Sequence, residues 1–163
     1  MRETEVDSAD FRAAMSQFAS GVTIVTAMDA EGGSVGFTAS AFSSLSLEPP
    51  LVLVCLDKRA ECFEAFANCE EMAISILAAG QDGIAMRFAS RGADKFGPGG
   101  LDPGELTGLP LVEGATVRME CAVVDRPDGG DHVILVGKVL TAKTNNVQPL
   151  IHYNRAFGRF AAD

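Results

Sequence analysis

The sequence predicts a mainly β protein, an antiparallel β-barrel with short helices at its periphery. Segments rich in β-branched and apolar residues recur along the 163 residues, and turn sequences suited to hairpins separate several of them. No Gly-x-Gly-x-x-Gly follows a strand-like segment, so the dinucleotide fingerprint of a doubly wound parallel sheet is missing. Many strands joined by hairpins, with few helices between them, are typical of antiparallel barrels.

The first half of the chain is predicted to run helix, strand, strand, strand. Apolar residues at helical spacing predict an amphipathic helix that Ser8 caps, that Gly21 closes and that packs on the core. The turn Asp29–Gly33 favours a hairpin, and the prolines of Glu48–Pro50 interrupt the ladder. The predicted elements are a helix over Ser8–Ser20 and strands over Val22–Ala27, Val35–Leu47 and Leu51–Leu56, the last continuously apolar and buried.

The second half adds two short helices and three strands. The stretch Gly92–Gly108 holds six of the 17 glycines and two prolines, which predicts a surface loop able to cover a ligand. Pro127–Gly130 has the residues of a β-hairpin turn. The predicted elements are helices over Ala60–Asn68 and Gln81–Ser90 and strands over Met72–Leu77, Thr116–Val124 and His132–Lys143.

Composition indicates one globular domain over residues 1–163. Hydrophobic residues make up 47% of the chain and charged residues 21%, and a chain of this length buries about 68–70% of its surface without disulfide staples. There is no run of about 18 apolar residues to span a bilayer, and the acidic start Met1–Asp10 is unlike a signal peptide. We therefore expect a cytoplasmic protein with no membrane partner, and the net charge of −9 disfavours nucleic acid.

The cysteines and histidines suggest no metal site. No two cysteines have Cys-x-x-Cys spacing, and His132 and His152 lie near neither each other nor a cysteine pair. Free cysteines are commonly buried, so reduced thiols in a reducing compartment are expected. The four cysteines are Cys55, Cys62, Cys69 and Cys121.

Hydroxyl residues follow one parity in the second predicted strand, which places Thr38, Ser40, Ser44 and Ser46 on one strand face. Such a face suits a phosphate or a polar heterocycle, with Gly36 allowing close backbone approach, although periodicity alone favours a solvated strand face.

Charged residues begin at Asp57, directly after the predicted buried strand Leu51–Leu56 and where that strand would reach the rim of the barrel. An apolar strand with polar groups at its end is typical of a pocket for a planar ring, or simply of a core strand with a polar end. No Lys or Arg occurs between Ala13 and Asp57, whereas five follow in the middle of the chain, consistent with a small anionic ligand or with a solvated face. These cations are Lys58, Arg59, Arg87, Arg91 and Lys95.

Several blocks, taken in order and spacing, resemble the flavin reductase family with the FMN-binding split-barrel fold, over about Phe11–Phe160. The resemblance implies a reductase that uses NADH, or NADPH, to reduce FAD or FMN and releases the reduced flavin to a separate monooxygenase. It also implies a homodimer with flavin bound between protomers. The acidic chain disfavours NADPH, whose extra phosphate needs a dedicated cation. The blocks are Phe18–Thr26, Gly36–Phe42, Leu45–Val52, Arg87–Ala89, Asp94–Phe96, Glu120–Cys121, Gly130–His132 with Gly137, and Tyr153–Arg155.

The same resemblance implies the site residues. His132 would position the nicotinamide, with Tyr153 and Arg155 contributing to nucleotide binding, and no side chain is assigned an acid–base role because flavin and nicotinamide supply the redox chemistry. Lys95, Arg87 and Arg91 are the implied counter-charges for phosphates. The remaining implied flavin contacts are Thr38, Ala39, Ser40, Cys55, Leu56, Asp57, Ala60, Phe88 and Ser90.

The chain differs from the common family pattern at three positions. Ala41 and Ala60 replace common serines, and Asn154 precedes only one arginine. Two alternatives remain beside the reductase: a flavin-binding split barrel that does not turn over NADH, and an oxidase of the pyridoxamine-phosphate type. The Gly130–His132 block and the Glu48–Pro50 turn favour the reductase.

Overall fold

The computed structural model describes residues 5–163, which form thirteen strands and three short helices. The helices are α1 (Ser8–Met15), α2 (Phe63–Asn68) and α3 (Asp82–Ala89). The strands are β1 (Ser20–Gly21), β2 (Thr23–Met28), β3 (Ser34–Ala39), β4 (Phe42–Ser46), β5 (Leu51–Asp57), β6 (Glu71–Ile76), β7 (Leu101–Pro103), β8 (Pro110–Val112), β9 (Val117–Asp125), β10 (Asp128–Gly129), β11 (His132–Thr144), β12 (Leu150–Tyr153) and β13 (Ala156–Arg159).

One antiparallel sheet dominates the structure. Its strand order is β3-β2-β6-β9-β11-β5-β4, with β10 paired to β11. β3 and β4 stand at opposite ends of this order, yet only Ser40 and Ala41 join them along the chain. The sheet must therefore curl back until its two ends meet. The predicted fold class, a mainly β antiparallel barrel with short peripheral helices, is confirmed.

The core has two main clusters because β2 is buried on both faces. Val25 points into the curl of the sheet, where it joins Phe37, Phe66 and Leu135. The neighbouring Ile24 points the other way, into a cluster under α3 with Leu77, Phe88, Val112 and Leu150. The buried Thr23 and Thr26 hydroxyls donate to the carbonyl oxygens of Ala39 at 2.8 Å and Pro110 at 2.6 Å. Hydrogen-bonded hydroxyls let this strand pass through the core without unpaired polar groups.

The first helix differs from its prediction. It ends at Met15 instead of Ser20, and Asp7, not Ser8, caps it by accepting the N–H of Ala9. No residue of α1 is buried, and Phe11 and Met15 are each 52% exposed, so the expected packing on the core is wrong for this chain alone. Gly21 does not close the helix, because Ser20–Gly21 pairs with β12 as a strand.

The hydroxyl strand is also not continuous. β3 ends at Ala39 and β4 begins at Phe42, at the other end of the sheet, and a register shift interrupts β4 between Ser44 and Ser46. Thr38 and Ser40 therefore do not share a face with Ser44 and Ser46. β5 alternates between buried and half-buried residues and is not buried on both sides.

The other predicted elements are confirmed within a few residues, and several short strands are added. The predicted hairpin around Pro127–Gly130 is present, because Asp128 and Gly129 pair back onto the start of β11. α2 begins three residues later than predicted, at Phe63. β1, β8, β12 and β13 were not predicted, and β7 lies within the Gly92–Gly108 segment. No helix among the described residues is long and apolar enough to cross a membrane.

Candidate active site

A cleft of about 320 Å³ lies where β3 and β5 come together beside the C-terminal end of α3. It contains eleven of the fourteen residues predicted to bind flavin or nucleotide. These are Thr38, Ala39, Ser40, Cys55, Leu56, Asp57, Ala60, Phe88, Ser90, Lys95 and His132. The curl of the sheet is what places residues so far apart in the sequence around one cavity.

One side of the cleft is built by the packing of α3 against β3. The Thr38 hydroxyl donates to the carbonyl oxygen of Ala85 at 2.6 Å, which ties the strand to the helix. Its oxygen lone pairs remain as acceptors. Phe88 is buried and meets Phe96 edge-on, with ring centroids 5.2 Å apart. The buried Leu56 also lines the cleft, which therefore combines apolar surface with hydroxyls.

Two cations line the cleft, and neither is paired with an acidic side chain of residues 5–163. Lys95 Nζ donates to the carbonyl oxygen of Gly36 at 3.3 Å, and the Arg91 guanidinium donates to the carbonyl oxygen of Arg59 at 3.2 Å. Within the described part of the chain, neither cation has a carboxylate within 4.0 Å. Their charges are therefore available to an anionic ligand.

The rim holds two carboxylates beside His132. Asp57 accepts hydrogen bonds from Arg59 Nε at 3.1 Å and Nη2 at 2.8 Å, and these hold its pKa well below the usual aspartate range. His132 pairs with Asp57 across β11 and β5. Its Nδ1 lies 2.7 Å from Asp131 Oδ1, and this hydrogen bond lowers the pKa of Asp131. The contact fixes the orientation of the imidazole at the cleft.

Glu61 closes another part of the cleft. Its two carboxylate oxygens lie 3.1 and 3.2 Å from the backbone nitrogen of Gly92, which donates to them. The turn before α2 is thereby joined to the loop after α3. Glu61 was not predicted as a site residue, and no local motif marks it, since its partner lies 31 positions along the chain. Phe37, Ala41, Cys62 and Ala89 also line the cleft without having been predicted.

The two cysteines in the cleft are neutral thiols. Burial raises the pKa of Cys55 and of Cys62, the latter despite the opposing charge of Lys95. Thiols with raised pKa values are poor nucleophiles at neutral pH. All four cysteines are free, and they contribute packing to the site.

Three predicted residues lie outside the cleft. The Arg87 guanidinium donates to the carbonyl oxygen of Gly99 at 2.7 Å and so holds the glycine-rich loop against α3. The Tyr153 hydroxyl donates to Gln17 Oε1 at 3.0 Å. Arg155 has a left-handed backbone, with φ 64°, in the turn between β12 and β13. The structure therefore does not bring these three side chains together with His132.

A groove of about 750 Å³ adjoins the cleft and shares Ser40, Ala41 and Cys55 with it. Arg155 lines this groove. Its apolar members include Met15, Phe18, Phe42 and Leu53. Phe18 is 78% exposed, which is unusual for a phenylalanine in a folded chain.

Comparison with known families and curated proteins identifies relatives of this chain. Residues 15–161 match the family described as the flavin reductase like domain. The chain is 41% identical over 152 residues to the actinorhodin polyketide dimerase of Streptomyces coelicolor, covering 93% of this chain and 85% of that protein. It is 40% identical over 149 residues to the NADH:riboflavin 5′-phosphate oxidoreductase of Streptomyces pristinaespiralis, covering 90% and 85%.

Two solved structures are similar over nearly their whole length. One is the NADH:FAD oxidoreductase SgcE6 of Streptomyces globisporus, solved with NAD and FAD fragments. It superposes with a TM-score of 0.91 and 37% identity over 96% of this chain and 94% of that one. The other is BorF, the flavin reductase component of a bacterial two-component tryptophan halogenase, with a TM-score of 0.88 and 34% identity over 96% and 100%.

Proposed function

The chain belongs to the flavin reductase family, and from that premise we propose that it is an NADH:flavin oxidoreductase acting through the cleft between β3 and β5. It reduces FAD or FMN with NADH and passes the reduced flavin to a separate monooxygenase. The observation that carries the proposal is the gathering of Thr38, Leu56, Phe88, Lys95 and His132 around one cavity.

The cleft fits a flavin in three respects. The buried side chains of Leu56 and Phe88 form an apolar backing behind the surface of the cleft, where a planar ring would lie, and Thr38 and Ser40 offer hydroxyl groups to its polar edge. Lys95 and Arg91, which lack carboxylate partners in the described chain, suit the phosphate of the side chain. Arg87 is committed to Gly99 and serves the site by holding the loop that carries Lys95.

The bound flavin and nicotinamide supply hydride chemistry, from C4 of one ring to N5 of the other. The protein has to bind the two ligands, orient their rings towards each other and shield them from water. Asp131 holds the His132 imidazole in one orientation, and we assign this ring to positioning the nicotinamide. Buried Phe88 and Leu56 exclude water from one side of the cleft. No proton transfer by a side chain is required, which agrees with the neutral thiols and the hydrogen-bonded rim carboxylates.

The proposed assembly is a homodimer formed through the groove beside the cleft. Phe18 and Met15 stay exposed in the single chain, and the groove they line is continuous with the cleft through Ala41 and Cys55. Burying apolar surface favours such an association. In this dimer Arg155 and the nearby Tyr153 belong to the covered side, and we propose that they contact nucleotide there. The four free cysteines suit a reducing compartment, which supports the predicted cytoplasmic location.

Anaerobic turnover tests this function. Catalytic protein is mixed with excess NADH and a large excess of FMN or FAD, and the oxidised flavin absorbance is followed. Bleaching of many flavin equivalents per protein is expected, because flavin is a diffusible substrate. Bleaching that stops at one equivalent indicates a flavoprotein that retains its cofactor, and no bleaching indicates a flavin carrier; either result rejects the reductase.

A further inference from the structure

The carboxylate of Glu61 lies in the part of the cleft that is best suited to an anion. Both its oxygens face the Gly92 N–H, at 3.1 and 3.2 Å. Glu61 and Lys95 line the same two neighbouring cavities, the main cleft and a smaller one of about 270 Å³ beside it. Arg91, next to Gly92 in the chain, lines the main cleft as well. The exposed Glu61 side chain thus accepts a backbone N–H in a part of the cleft that two cations also line.

The other carboxylate that lines this cleft is already committed. Asp57 is bound by the Arg59 guanidinium through two hydrogen bonds. Glu61 has no cation within 4.0 Å in the described chain, and it accepts its hydrogen bond from the Gly92 N–H. A phosphate that used Lys95, Arg91 and the Gly92 N–H together would have to displace the Glu61 carboxylate and then tolerate its charge nearby.

We propose that Glu61 is a specificity-determining residue that weakens the binding of the flavin phosphate by occupying its anion position, and so favours release of the reduced flavin. The inference rests on the proposed function, since it takes the phosphorylated ligand of the cleft to be a flavin. The negative charge of Glu61 acts on the phosphate and leaves the ring untouched. Flavins with a phosphate are therefore affected, whereas riboflavin, which has none, is not.

The test compares FMN and riboflavin binding to the wild-type protein and to Glu61→Gln. Glutamine keeps an oxygen that can accept the Gly92 N–H but removes the charge. Dissociation constants are measured by titration of flavin fluorescence, without NADH, at low and at high salt. We expect FMN to bind Glu61→Gln about 5- to 50-fold more tightly, with riboflavin unchanged and with the gain reduced at high salt. Glu64→Gln, an exposed substitution on α2, is the matched control and leaves both constants unchanged.

The deciding quantity is the ratio of the FMN and riboflavin dissociation constants, compared between the wild-type protein and Glu61→Gln. An unchanged ratio overturns the proposal, including the case in which both flavins bind less tightly because Glu61 merely braces the Gly92 loop. Weaker FMN binding with riboflavin unaffected also overturns it. If neither flavin binds any of the proteins, the proposed function itself fails; if both bind and NADH bleaches them while the ratio is unchanged, only the role of Glu61 fails.

Discussion

Gly36 on β3 lies directly against the ring of Phe88 on α3. A Cβ at Gly36 would come within 2.8 Å of Phe88 Cε1 and 2.9 Å of the Val25 carbonyl oxygen. Glycine here was expected to admit a ligand, but the group that approaches is a side chain of the same protein. The contact sets how closely α3 approaches β3, and therefore the width of the cleft.

Gly36→Ala is predicted to destabilise the protein by about 1–3 kcal/mol, because Phe88 must shift and the Val25 backbone cannot. Flavin binding weakens as well, since Phe88 lines the cleft. Urea denaturation and flavin titration measure the two effects. Gly158→Ala is the control, because a Cβ there meets nothing within 4 Å. Equal stability of the two variants would mean that α3 adjusts freely.

Lys95→Met is predicted to weaken FMN binding about tenfold while changing riboflavin binding little, because methionine keeps the length of the side chain without its charge. The expected change in FMN affinity is therefore opposite to the one expected for Glu61→Gln. Fluorescence titration with the two flavins measures it, and Lys138→Met, at an exposed position of β11, is the control. An equal loss for both flavins would show that Lys95 acts on the ring or on the fold instead.

Asp131→Asn is predicted to raise KM for NADH several-fold with a smaller effect on kcat, since Asp131 acts by orienting His132. KM for flavin is expected to change less. Steady-state kinetics with each substrate varied in turn gives the comparison, and Asp82→Asn, exposed on α3, is the control. A drop in kcat with KM unchanged would contradict a positioning role.

Glu120→Gln is predicted to lower the free energy of unfolding by about 1–3 kcal/mol at pH 7, because several hydrogen-bond donors lose a charged acceptor. The buried Glu120 carboxylate accepts the N–H groups of Leu106 and Thr107 and the hydroxyls of Thr107 and Thr141. Burial alone raises the pKa of Glu120, but these hydrogen bonds outweigh it, and the pKa is lowered.

The stabilisation by Glu120 is therefore fully present above the ordinary glutamate pKa of about 4.3 and is lost as pH falls through the lowered value. Free energies of unfolding measured between pH 7 and pH 3 should show the wild type and Glu120→Gln converging in acid. Glu71→Gln, exposed on β6, should show no such convergence. A constant gap across this range would contradict the assignment.

Phe18→Glu is predicted to weaken the proposed dimer, because it replaces an exposed apolar side chain of the groove with a charged one. Sedimentation velocity over a range of concentrations measures the change. Leu106→Glu is the control, since Leu106 is also exposed, at 57%, but does not line the groove. A wild-type protein that is monomeric at all concentrations would refute the proposed interface.

Local patterns predict the long elements, because a strand such as β11 has 13 residues, most of them β-branched or apolar. They could not predict the break at Ser40 and Ala41, since a continuous and an interrupted strand have the same alternation. That break depends on where the curled sheet brings its two ends together. The strands β12 and β13 have four residues each, too few for a clear period.

Site residues that lie in a contiguous stretch of sequence could be predicted, whereas residues whose role depends on a contact with a distant segment could not. The residues of the Gly36–Phe42 block and of the strand that ends at Asp57 are predicted because each stretch is contiguous, and the family resemblance links them to Lys95 and His132. Glu61 was missed because its role depends on Gly92, which only the folded chain brings near. The resemblance implies a phosphate contact for Arg87, whereas in the structure its guanidinium donates to the carbonyl oxygen of Gly99.

A crystal structure of the protein with FMN would show whether flavin binds in the cleft between β3 and β5. We expect the isoalloxazine ring in this cleft, next to Thr38 and in front of the buried Leu56 and Phe88, with the phosphate within hydrogen-bonding distance of Lys95 or Arg91. FMN bound elsewhere, with its ring outside this cleft and its phosphate away from both cations, would rule out this binding site.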